Sequence, residues 1–145
     1  MKIDLKKILK TNIDRIDKQI KEEIITRNSA PTPIQSGSDK TRQVAEQMID
    51  SLHQEKKDLL VIKKTLVNLP KFNQNASVNT LVTLHSYGKE KIFLLVPEGM
   101  GGVSVDEVFL LSIKSPLVKK FIGKNLGFKF NFNNSPYKIV SIQPN

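Results

Sequence analysis

The sequence predicts an α+β protein: an N-terminal antiparallel α-helical hairpin of coiled-coil type, then a small antiparallel sheet carrying one short helix. Three observations carry the prediction. Apolar residues recur at three- and four-residue spacing through the first seventy positions, the period of an amphipathic helix. After Pro70 the pattern changes to short runs rich in β-branched and aromatic residues, separated by turn chemistry. A lone "SPLVKKFIGK" interrupts those runs with the signals of a short helix.

The first helix is marked by Leu5, Leu9, Ile13, Ile16, Ile20 and Ile24, a single stripe. The second is marked by Ala45, Met48, Leu52, Glu55, Leu59, Ile62, Leu66 and Leu69, a heptad seam broken at Glu55. Pro70 ends it. Running from about Lys40 to Leu69, it would be roughly 45 Å long at ~1.5 Å per residue. Neither helix is apolar all round, so each needs one partner, and the short linker makes the other helix the nearest. A bundle completed by a second copy of the chain is the alternative. Domain boundaries are expected at 1–70 for the hairpin and 71–145 for the sheet domain.

Between the helices lies "NSAPTPIQSGSDKTR", Asn28 to Arg42, whose prolines and glycine interrupt the helical period. It is placed at the tip of the hairpin, at about 28–40. In the second half "VNTLVTLH", "KEKIFLLVP", "DEVFLLSIK", "FKFNF" and "YKIVSIQ" read as five strands, separated by "SYG", "EGMGG" and "NNSP". Gly99 to Gly102 read as a flexible hairpin loop. In the short helix Ser115 is a suitable N-cap, Pro116 sits at the first helical position and Gly123 follows the end. Leu117, Phe121 and Ile122 would form its inward face.

Composition bounds the function. The net charge is +9, with 14 basic against 10 acidic residues up to Pro70 and 9 against 4 after it. A polyanionic or acidic partner fits such a charge, but its even spread argues against a basic tail. The chain has no cysteine, which excludes disulfides, thiolate metal sites and cysteine nucleophiles. His53 and His85 lie in different halves, without partners at ligand or triad spacing. "GMGG" lacks the helix and Lys-Ser/Thr pair of a phosphate cradle. No apolar run spans a membrane and the N-terminus is too charged for a signal peptide, so a cytoplasmic protein without membrane association is expected. Phe128, Phe130 and Phe132 alternate along one strand, with base stacking and a core-facing strand as the two readings.

The order of elements and the string "LLSIKSPLVKKFIGKNLGFKF" together resemble the Gre-type transcription elongation factors. The family signature, of the form IS-x-x-SP-L/I-x-x-x-L-I/L-GK-x-x-GD-x-V, is matched by Ile113, Ser115, Pro116, Leu117, Ile122, Gly123, Lys124 and Gly127, followed by the strand Phe128 to Phe132. The tip is similar to an "SxGDK" segment of short Gre-like proteins and reads "SGSDK" here, ending at Lys40.

The resemblance implies an FKBP-like C-terminal domain that docks on RNA polymerase and a coiled coil inserted into the secondary channel. The polymerase-binding residues would be Ser115 and Pro116, with Lys114 where some members carry an acid. Tip contacts would be Ser38, Asp39, Lys40 and Arg42, and contact with nascent RNA is implied only indirectly. Cleavage in this family relies on acidic tip residues, an Asp with a Glu three positions later, since Mg²⁺ takes hard oxygen ligands. Here Asp39 is followed three positions on by Arg42, with Lys40 adjacent, and the next acid is Glu46. Cations beside one carboxylate weaken divalent metal binding.

The expectation is therefore a polymerase-binding regulator, a non-cleaving Gre-like paralogue and a monomer, with no enzyme activity or cofactor of its own. Mg²⁺ would act at the polymerase active site, and Asp39 is the candidate catalytic residue and Mg²⁺ ligand. N-capping alone is the other reading of Asp39. A fully active cleavage factor using Asp39, an isomerase of FKBP type, and a coiled-coil adaptor or dimer unrelated to polymerase are the rival readings.

Overall fold

The computed structural model describes residues 2–30 and 40–145. Two long helices come first, α1 (Leu5–Ser29) and α2 (Thr41–Val67). Six strands follow: β1 (Thr80–Ser86), β2 (Lys89–Val96), β3 (Ser104–Val105), β4 (Val108–Ser112), β5 (Lys129–Phe132) and β6 (Ser135–Pro144). The short helix α3 (Pro116–Lys119) lies between β4 and β5. The α+β class is as the sequence predicts. By contacts the chain divides into two units, Leu5–Lys64 and Met1–Asp4 with Thr65–Asn145.

In the helical unit α1 and α2 run antiparallel. Asp17 meets Lys56 and the carbonyl of Arg27 meets Arg42, so position numbers rise along one helix as they fall along the other. Leu9, Ile16 and Ile20 of α1 are buried, as are Ala45, Ile49, Leu52, Leu59 and Ile62 of α2. The seam differs from the expected one by a single step at two places. Met48 is 46% exposed and Ile49 takes its position, while Glu55 is exposed and half-buried Lys56 stands between Leu52 and Leu59. A 4-3 alternation counted from Ala45 can begin with either step; the observed seam begins with the four-residue step, which places Lys56, not Glu55, opposite Asp17. Ile13 and Ile24 are half-buried at the margin of the α1 stripe.

The sheet order is β3-β4-β2-β1-β6-β5. The expectation of an antiparallel sheet of five strands needs correction, because β2 and β4 pair in parallel and the two-residue β3 is an added edge. Parallel neighbours cannot be joined by a hairpin. The segment from Pro97 to Val103 instead passes to the far side of β4, and it is pinned rather than flexible. Gly102 N–H donates to the Leu110 carbonyl at 2.9 Å and Leu110 N–H to the Val103 carbonyl at 2.8 Å. Met100 is buried. A Cβ on Gly101 would lie 2.7 Å from the Ser112 backbone nitrogen, so the close approach requires glycine.

Two hairpins have two-residue turns with both residues at positive φ, the type that matches strand twist. They are Tyr87–Gly88 (φ 49° and 74°) and Asn133–Asn134 (φ 51° and 61°). β2 is buried from Phe93 to Val96 without alternation, because both of its faces are covered. On one face Val82, Leu84, Phe93, Leu95 and Ile139 form a core with Ala76, Val118 and Phe121. Leu81, Leu94, Val96, Val108 and Leu110 are buried on the other. α3 contributes Val118 and the turn after it Phe121, both 0% exposed. Phe121 and the half-buried Leu117 pack inward as expected, whereas Ile122 is exposed and Val118 takes its place.

Phe130 lies between Phe121, Phe128 and Tyr137 at ring-centroid distances of 5.5, 6.0 and 5.4 Å. Phe128 and Phe130 pack against the core, which favours the core-facing reading of this strand. The ends of the sheet unit are tied by Asn145. Its side-chain amide accepts from Ile3 N–H at 2.8 Å, donates to the Ile3 carbonyl at 2.8 Å and donates to Asn79 Oδ1 at 2.8 Å.

Candidate functional site

The candidate residues fall in two places, one in each unit. At the end of the helix pair, Ser38 and Asp39 lie outside the described residues, as does most of the tip. Lys40 and Arg42 are described. The Lys40 carbonyl accepts from Val44 N–H at 2.9 Å, the first bond of α2, so Lys40 occupies the cap position. Its side chain is exposed.

Arg42 is half-buried, and its Nη1 donates to the Arg27 carbonyl at 3.2 Å. Arg27 lies in the last turn of α1, where carbonyls lack intrahelical partners and a cation is favourable. Arg27 itself donates from Nε to Asn28 Oδ1 at 3.3 Å. This end of the unit therefore gathers three cations, Arg27, Lys40 and Arg42, and residues 27–30 and 40–44 include no carboxylate. Among the described residues no group of three His, Cys, Asp or Glu could hold a metal.

In the sheet unit Lys114, Ser115 and Pro116 form the turn from β4 into α3. Ser115 has extended backbone (φ −65°, ψ 148°) and its Oγ accepts from Val118 N–H at 3.3 Å. Lys114 is exposed, with its N–H donating to Ser112 Oγ at 3.1 Å. Pro116 is exposed at the first helical position, where its missing N–H costs nothing. Capping fixes the turn and leaves the lysine and proline side chains on the surface.

Next to this turn lies a hollow of about 390 Å³. Leu84, Phe93 and Leu117 supply apolar surface, Tyr137 an aromatic wall, and Lys89 and Lys91 two cations. Ser86, Tyr87 and Ser135 complete it, so its lining has no carboxylate. Sequence reasoning missed this hollow, although the signal was present. In "KEKIF" a two-residue period puts Lys89, Lys91 and Phe93 on one face. A second hollow, of about 550 Å³, has Glu90, Asp106 and Glu107 beside Lys91 and lies at the start of β4, away from Ser115 and Pro116 in sequence.

The three candidate contacts Lys114, Ser115 and Pro116 are thus brought together by local structure, while Lys40 and Arg42 belong to the other unit. His53 is exposed and His85 half-buried. Among the described residues no helix is long and apolar enough to cross a membrane.

The chain is similar in structure to GreA factor homolog 1 (Gfh1) of Thermus thermophilus, at 14% identity and a TM-score of 0.43, covering 95% of this chain and 94% of that one. A second structure of the transcription factor Gfh1 gives 15% identity and 0.42, with 94% and 92% covered. Thermus aquaticus Gfh1 gives 14% and 0.42, with the same coverage. No family model matches the chain, and no curated protein matches it by sequence.

Proposed function

We propose that this protein is a regulator of transcription that binds RNA polymerase, inserts its helix pair into the secondary channel and stimulates transcript cleavage weakly or not at all. Docking by the sheet unit would use the exposed Lys114–Pro116 turn, with the adjoining hollow accepting a side chain of the partner. Supporting this reading are the two antiparallel helices of 25 and 27 residues, about 37 and 40 Å long, and the Ser-Pro turn presented at the surface. The sheet hollow carries Lys89 and Lys91 rather than an all-apolar lining, which favours binding over proline isomerisation.

The observation that carries the non-cleaving part is the engagement of Arg42. Three positions after Asp39, where a second carboxylate would hold a metal, stands a guanidinium bonded to the end of α1. A cation in that place opposes the approach of a divalent ion. The protein would act by occupying the channel, and the metal chemistry would remain the polymerase's own.

Backtracked elongation complexes test the proposal. The protein is expected to bind polymerase in competition with a known secondary-channel ligand and to leave cleavage near its intrinsic rate, with Asp39→Ala behaving as the parent. Robust Mg²⁺-dependent cleavage abolished by Asp39→Ala would overturn the non-cleaving reading. Absence of polymerase binding would overturn the whole and leave the adaptor reading, which a stable dimer in solution would favour.

A further inference from the structure

Three neighbouring strands of the sheet unit set a row of basic side chains. The register pairs Lys129 with Lys138 across β5 and β6, and Lys138 with His85 across β6 and β1. Directly opposed residues project on the same side of a sheet, here the side opposite Phe130, Tyr137 and Ile139. Both lysines are exposed and His85 is half-buried. Among the described residues the side chains of these three make no hydrogen bond or ion pair. Glu90 ends the row as the cross-strand partner of His85, and His85 stands between it and the lysines.

Like charges directly opposite each other in an antiparallel pair are destabilising. The Lys129–Lys138 pair therefore opposes folding slightly, and an anion bridging the two ammonium groups would remove that repulsion. We propose that this row binds the phosphate backbone of a single-stranded nucleic acid. Three adjacent strands span about 10 Å from first to third, a length over which a nucleic-acid strand offers several charges. An acidic protein fits less well. Residues two positions from either lysine are Gly127, Asn131, Pro136 and Val140, and none is an exposed aromatic or large aliphatic side chain. A protein interface needs a desolvated anchor of that kind, whereas phosphate contacts do not.

The inference is independent of the polymerase reading, because the test uses the full chain and an oligonucleotide alone. A labelled 20-nucleotide single strand is titrated by fluorescence anisotropy across a range of salt. For Lys129→Ala/Lys138→Ala, affinity is expected to fall and the slope of log K against log salt to shrink by about 1.4, at ~0.7 per lost phosphate contact. Lys89→Ala/Lys91→Ala, on the opposite face, should leave the slope unchanged. Lys129→Glu should weaken binding while raising Tm, since it turns a like-charge pair into an opposite-charge one, and so separates lost contact from lost folding. An unchanged slope in the first variant, an equal loss in the Lys89/Lys91 variant, or equal affinity for poly-glutamate would overturn the proposal.

Discussion

Lys56 Nζ lies 2.6 Å from Asp17 Oδ1, joining the two long helices at a position where a coiled coil would ordinarily bury an apolar side chain. Both side chains remain about a third or more exposed, at 33% and 39%. A pair so placed contributes little energy but favours one alignment of the helices over its neighbours. A double-mutant cycle with Asp17→Ala and Lys56→Ala should give a coupling of about 0.2–1 kcal/mol. Lys56→Leu should raise Tm by extending the apolar seam between Leu52 and Leu59. Thermal unfolding followed by circular dichroism measures both.

The seam itself distinguishes adjacent residues. Ile49 is 6% exposed and Met48 46%. Ile49→Ala should cost about 2–4 kcal/mol, and Met48→Ala should change stability by no more than about 0.5 kcal/mol. Urea unfolding of the two variants would show which residue faces α1, and the reverse order would restore the pattern counted from Met48.

Gly101 is expected to be intolerant of any side chain. The added Cβ of Gly101→Ala would meet the Ser112 backbone rather than a movable side chain, at 2.7 Å. The strand or the crossing segment must then shift, at a cost of roughly 1–3 kcal/mol. A loss of urea midpoint without a change in m-value is the expected result.

Ser115 combines a local structural role with its position on the candidate docking surface. Ser115→Ala should lower stability by about 1 kcal/mol through loss of the bond from Val118 N–H. Ser115→Asp should retain the cap and nearly the parent Tm, because Asp caps as well as Ser. If the hydroxyl also contacts polymerase, Ser115→Asp should bind polymerase more weakly at unchanged Tm, which a pull-down compared with the melting curve would separate.

Much of this architecture is legible in the residue order, for reasons that differ between elements. α1 and α2 declare themselves by period, and the Ser115–Pro116 start of α3 by capping chemistry. The turns at Tyr87–Gly88 and Asn133–Asn134 follow from residues that tolerate positive φ. The seam slipped by one residue because Met48 and Ile49 are adjacent and both apolar, and which of them is buried is settled by packing against α1 rather than by residue type. The parallel pairing of β2 with β4 was hidden because strand direction is set by the route of residues 97–103, and "EGMGG" is as compatible with a crossover as with a hairpin. Of the candidate site, the loop at 114–116 could be read locally. The hollow beside it needs Leu84, Lys91, Leu117 and Tyr137 from four elements, a convergence that only tertiary structure creates.

The place of β6 in the sheet bears on how the chain is made. Being the last strand in order yet lying between β1 and β5, it covers an edge of β1 that was synthesised about fifty residues earlier. At ~5–20 residues per second, that edge stays open for roughly 3 to 10 s on the ribosome. During that interval the segment Leu81 to Leu84, with apolar Leu81, Val82 and Leu84, offers unpaired backbone to any other strand. Nascent chains stalled before Ser135 should consequently be clients of holding chaperones, and released full-length chains should not.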